Sequence, residues 1–216
     1  MKIKKIVLSL LLILFVTGCS KVNDMTYDEI INNFATSKNS ANTYRRGYKY
    51  FLPKGVSLNY AGANYAILYS SDNYYYYLFI DLIGYINKTE INTTKTGNYI
   101  YSKVFNCDNK IGYIYIKNAE NDKYMIEIMY NYAKIELMVD SKNVKESIIN
   151  STSILKSIVY DDKVIEALLK DDNLTYTEEN FNMFDKLNKK SGVLNYNNEE
   201  NEIIRDVEII DTDLIN

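Results

Sequence analysis

Histidine and tryptophan are absent from the 216 residues, which hold one proline, eight glycines and two cysteines. Without histidine there is no Ser-His-Asp or Cys-His catalytic apparatus, no imidazole metal ligand and no imidazole base near neutral pH. Two cysteines cannot make a four-thiolate zinc site or a dense disulfide framework. No glycine-rich phosphate loop, P-loop, nucleophile elbow or metal-ligand motif occurs. The sequence therefore implies no cofactor, no metal and no catalytic residue, and an enzymatic reading would rest on carboxylates alone. Tyrosine, in contrast, is abundant at 22 residues. With 25% charged and 47% hydrophobic residues, the composition is that of one globular domain plus appendages.

Lys2, Lys4 and Lys5 precede residues 6–16, an eleven-residue run that is apolar except for Ser9. A spanning helix takes about 20 apolar residues, whereas this run has the length of a signal-peptide h-region. Val16-Thr17-Gly18-Cys19 resembles the lipobox of bacterial lipoproteins. The resemblance implies that residues 1–18 are a signal peptide cleaved after Gly18. It also implies that Cys19 is diacylated on sulfur and becomes the N-terminus at the extracytoplasmic face of the cell membrane. Two acyl chains give stable anchoring, because each buried CH₂ contributes about 0.8 kcal/mol. The plainer alternative is a short N-terminal anchor in which Cys19 is incidental. Residues 19–25 form a tether, which at about 3.6 Å per residue holds the domain within roughly 20 Å of the bilayer. Once Cys19 is lipidated, Cys107 has no disulfide partner and no histidine to activate it, and reads as a structural thiol.

Residues 26–170 read as an α+β domain. Thr26-Tyr27-Asp28-Glu29 is a capping box opening a helix, with Tyr27, Ile30, Ile31 and Phe34 on one face. Strand patterns follow at 47–55 (stopped by Pro53), 56–60, 65–70 and 74–86. Two hairpin-like pairs come next, 99–105 with 111–117 and 123–130 with 132–139. Ile135, Leu137 and Val139 alternate with Lys134, Glu136 and Met138, which predicts an antiparallel sheet with one covered face and one polar face. Val144, Ile148, Leu155, Ile158 and Val159 predict the covering helix, capped by Asp140 or Ser141, and a second helix follows at 164–170. The expected architecture is a largely antiparallel sheet of about six to eight strands packed on one face by helices, a two-layer sandwich.

Residues 171–216 hold twelve acids against four bases, a net of −8, in Asn-rich surroundings, and read as a partly disordered tail. Residues 19–170 carry 18 bases and 16 acids, so the mature chain is acidic overall and unsuited to nucleic acid.

Two segments carry a family resemblance. The strand at 47–56, rich in aromatics and ending in Pro53-Lys54-Gly55, follows the N-terminal helix. The closing strand and helix at 133–160 end the domain. This layout resembles the PsbP-like α/β sandwich over residues 26–160, though without the tryptophan that often follows the Pro-x-Gly. It implies a non-enzymatic accessory or binding protein.

The candidate partner-binding residues are Tyr75, Tyr77, Asp81, Tyr85, Arg45 and Arg46. If 74–86 is one strand, Tyr75, Tyr77, Phe79, Asp81, Ile83 and Tyr85 share a face, an aromatic surface suited to a peptide, a sugar or another protein. The plainer reading is a central strand covered on both faces, with Asp81 hydrogen-bonded inside. Arg45 and Arg46, two of only three arginines, could hold an anionic group bidentately or simply be solvated. An Asp81–Glu127 carboxylate pair is the one arrangement that would serve a hydrolase. The expectation is a membrane-tethered, non-enzymatic lipoprotein that binds another cell-envelope component. Capture of a small solute or sugar, or carboxylate hydrolysis, is the alternative.

Overall fold

The computed structural model describes residues 21–170. The expected signal peptide, the lipid site at Gly18-Cys19 and the tail at 171–216 lie outside the described residues. Within them the fold is α+β. Strands β3 (Val56–Ala61), β4 (Tyr65–Ser70), β5 (Tyr75–Ile80), β6 (Tyr101–Cys107), β7 (Lys110–Asn118), β8 (Lys123–Tyr130) and β9 (Ala133–Asp140) form a sheet in the order β3-β4-β5-β9-β8-β7-β6. Every pairing in it is antiparallel. A smaller sheet holds β1 (Thr43–Arg45), β2 (Tyr48–Tyr50) and β10 (Val159–Tyr160), in the order β1-β2-β10.

Turn chemistry sets the register of the large sheet. Asp108-Asn109 and Asn131-Tyr132 have positive φ at both residues, the two-residue turn whose twist matches that of the flanking strands, and the longer β7–β8 link carries positive φ at Asn121 and Asp122. Asn and Asp adopt that left-handed conformation readily. Tyr132, at φ 64°, is the costly member.

Helices α1 (Tyr27–Thr36) and α3 (Val144–Lys156) cover the inner face. The capping box of α1 forms as expected: Thr26 Oγ1 accepts from the Glu29 N–H at 3.2 Å, and the Glu29 carboxylate accepts from the Thr26 N–H at 2.6 Å. Ile30, Ile31 and Phe34 go inward, Phe34 edge-on to Tyr130 at 4.9 Å. From α3, Val144, Ile148, Ile154 and Leu155 meet Ile126, Ile128, Ile135, Leu137 and Val139, all inside one core. Burying each such side chain contributes about 1.5–3 kcal/mol.

Three expectations are corrected. The 74–86 segment is not one strand: β5 stops at Ile80, and Asp81 caps a short helix, α2 (Leu82–Asn87), accepting from the Gly84 N–H at 2.8 Å. The covering helix ends at Lys156, so Val159 belongs to β10. Neither Asp140 nor Ser141 caps that helix; a 3₁₀ turn, Ser141–Asn143, leads in, and the Asp140 carboxylate accepts from the Tyr74 hydroxyl at 2.7 Å. A final helix, α4 (Asp162–Lys170), packs on α2.

The outer face is not simply polar. Lys134 and Glu136 are only 3% and 1% exposed, flanked by Phe79 and Tyr77 of β5 and by Met129 and Glu127 of β8, and residues 88–100 cross this face as a strap. Ile91 and Tyr99 of the strap pack on Tyr113, Tyr115 and Met129, and the Tyr115 hydroxyl donates to the Thr93 carbonyl. Lys95 closes it, with its ammonium 2.5 Å from the Glu127 carboxylate.

Candidate functional site

The helices and strands give the domain two distinct ends. α1 runs along β6: Tyr27 meets Tyr101 at 5.0 Å at its start, Phe34 meets Phe105 at 5.4 Å, and the Ala35 carbonyl lies 4.0 Å from the Cys107 sulfur. α3 runs the same way, from the end of β9 to Lys156, whose ammonium reaches Cys107 at 2.7 Å and Asp108 at 2.5 Å. The chain therefore enters the domain at the Tyr101 end. The turns at 108–109 and 131–132 lie at the other, roughly 25 Å away along eight-residue strands at about 3.3 Å per residue.

A groove of about 750 Å³ opens at this far end. It is lined by the end of α2 and the start of the strap (Tyr85, Lys88, Thr89, Glu90, Ile91), by Asn109, Lys110 and Ile111, by Asn131 and Tyr132, and by residues 158–160. Three tyrosines set its floor. Tyr85 stacks on Tyr160 at 3.8 Å, carries the Lys88 ammonium over its ring at 4.0 Å, and stands at 81° to Tyr132. Each hydroxyl donates to a fixed acceptor: Tyr85 to Asp162 at 2.9 Å, Tyr132 to the Thr89 carbonyl at 3.0 Å, and Tyr160 to the Asn131 carbonyl at 2.6 Å.

Burial, and next the Asp162 carboxylate, push Tyr85 up to about 12. Burial likewise raises Tyr132, with Asp81 adding to it, and lifts Tyr160 well above the ordinary phenol. All three stay neutral at physiological pH; with each O–H already donated within the protein, they offer ring area and hydroxyl lone pairs as acceptors, not phenolates. Val159 and Ile111 present aliphatic side chains at the rim, 52% and 41% exposed. A smaller cavity of about 120 Å³ adjoins the groove, sharing Thr89, Glu90, Ile91 and Tyr132 with it and reaching Asp81 and Lys134.

The residues singled out from sequence do not share one surface. Tyr85 lines the groove and Asp81 the smaller cavity. Tyr75 and Tyr77 stand half-buried on the outer face of β5, where Tyr75 packs on Tyr69 at 4.9 Å. Arg45 is a structural clamp, its guanidinium donating to the Gly62 carbonyl at 3.0 Å, and Arg46 is exposed at the β1–β2 turn. The Glu127 carboxylate is taken up by Lys95 and by the Tyr113 hydroxyl at 2.7 Å, while Asp81 is occupied as a helix cap. Lys88, Asn109, Asn131, Tyr132, Val159 and Tyr160 were not singled out. The one local signal was Asn131-Tyr132, a two-residue link between apolar strands with a bulky ring where Gly or Asn is usual.

No protein-family model matches the chain, and no curated protein matches it.

Proposed function

We propose that the chain is a lipid-anchored, extracytoplasmic, non-enzymatic protein that binds another component of the cell envelope through the groove. The carrying observation is the placement of that groove, at the opposite end of the sheet from residue 26, where the expected tether joins the domain. A protein held at the membrane by Cys19 would thus present the groove outward. The tyrosine rings, neutral hydroxyls and side-chain amides fit recognition rather than bond cleavage. Capture of a small solute or sugar is the second reading, favoured by the groove's volume and its tyrosine floor.

Two experiments test this. Cys19→Ala should release the protein from membrane pellets, and full retention would remove the lipid anchor from the proposal. A photo-crosslinking amino acid at Val159 should capture an envelope component on intact cells. The same probe at Lys142, at the tether end, should not. Equal capture at both positions, or none at Val159, would refute the groove as the recognition surface.

A further inference from the structure

We propose that the occupant of the groove is a sugar chain bearing acetamido groups, and that Tyr132 is the aromatic platform on which a sugar ring rests. This rests on the groove being the recognition surface. The lining excludes other ligand classes in turn. A bilayer lipid is at the wrong end of the domain. A phosphate group would find no arginine among the lining residues, only Lys88 and Lys110 with Glu90 close by. A peptide adding as a further strand would find at the rim only β10, which is two residues long.

A sugar ring presents an apolar C–H face and a rim of hydroxyls, and the groove matches both. Tyr85 is covered on both faces, by Tyr160 and by the Lys88 ammonium, whereas Tyr132 meets Tyr85 at 81° and is half-buried. Asn109, Lys110 and Glu90 supply donors and acceptors around it, and the aliphatic Val159 and Ile111 suit an acetamido methyl.

Backbone strain points to the same residue. Tyr132 occupies the left-handed region at φ 64°, where Asn would sit more easily. A bulky aromatic held in an unfavourable conformation in the floor of a groove fits a residue placed there for binding.

The test is isothermal titration of the full-length chain in detergent micelles with the β-1,4-linked tetramer of N-acetylglucosamine, and with maltotetraose, which lacks acetamido groups. The first should bind with Kd below about 1 mM and the second at least about tenfold more weakly. Tyr132→Asn should weaken the first by about tenfold or more, while Tm holds within about 2 °C or rises. No heat from the acetylated tetramer, equal affinity for the two sugars, or unchanged affinity in Tyr132→Asn would overturn the proposal. If crosslinking from Val159 still captures a partner, only the sugar assignment falls. If that capture is lost as well, the groove reading falls with it.

Discussion

Lys134→Met should be among the most damaging single substitutions in this domain, for reasons that come from its position under the strap. The Lys134 ammonium lies 2.9 Å from the Glu136 carboxylate, and both are almost completely buried. At that separation and an effective dielectric near 20 their attraction is about 6 kcal/mol. Desolvating two ions costs several kcal/mol each, so the intact pair is close to neutral for stability. Deleting the amine leaves a buried carboxylate directly across the strands from Glu127, which should cost about 3–5 kcal/mol.

Glu136 can escape that cost by taking up a proton. Burial already holds its carboxyl above the ordinary range, and Lys134 partly opposes the shift. Because the folded pKa exceeds the unfolded one, the folded state binds the proton more tightly. The stability this group contributes is full below the unfolded pKa and is lost as pH rises through the folded one. Without Lys134 that window widens, and the defect should shrink on acidification. Urea unfolding of the parent, Lys134→Met, Glu136→Leu and the double variant, near pH 7 and near pH 5, measures both effects. The double variant should return to within about 1 kcal/mol of the parent. A single-variant loss below about 1 kcal/mol near neutrality, or a double variant as unstable as Lys134→Met, would refute the reasoning.

At Gly84 a β-carbon would meet the Asp81 carboxylate at 2.1 Å, so Gly84→Ala should break the cap of α2 and cost about 1–2 kcal/mol in thermal unfolding. Thr26→Ala removes one arm of the capping box and should cost about 1 kcal/mol, with faster amide exchange at the start of α1 and no change at 109–111. Lys95→Met unties the strap from Glu127, and amide exchange across 88–100 should accelerate about tenfold while the centre of β8 stays protected.

Local chemistry made much of the fold legible. The Thr26–Glu29 box and the alternation of Ile135, Leu137 and Val139 each act over a few residues, and each forms. The break at Asp81 was hidden by an apolar run that reads equally well as strand or helix. Its one signal was a carboxylate, Asp81, three residues before a glycine, Gly84. Lys134 and Glu136 look solvated because the side chains beside them, Phe79 and Tyr77 of β5 and Met129 and Glu127 of β8, come alongside only when the strands pair. The groove was illegible for a related reason. Tyr85, Asn109, Tyr132 and Val159 meet only after the strands have paired, and no spacing in the chain encodes that meeting.

That the groove is made of turns and ends has an evolutionary consequence. Its walls are the end of α2, the first residues of the strap, two hairpin turns and the short β10; of the lining, Tyr85, Ile158 and Tyr160 also pack in the core, whereas Lys88, Asn109, Lys110 and Val159 are exposed. Substitutions at the exposed Lys88, Lys110 or Val159 would change the surface of the groove while leaving the packing of Ile126, Ile128 and Ile135 untouched, whereas insertions at 108–109 or 131–132 would also shift the strand register. At those exposed positions the surface of the groove and the thermodynamic stability of the domain are thus separate traits, free to drift independently.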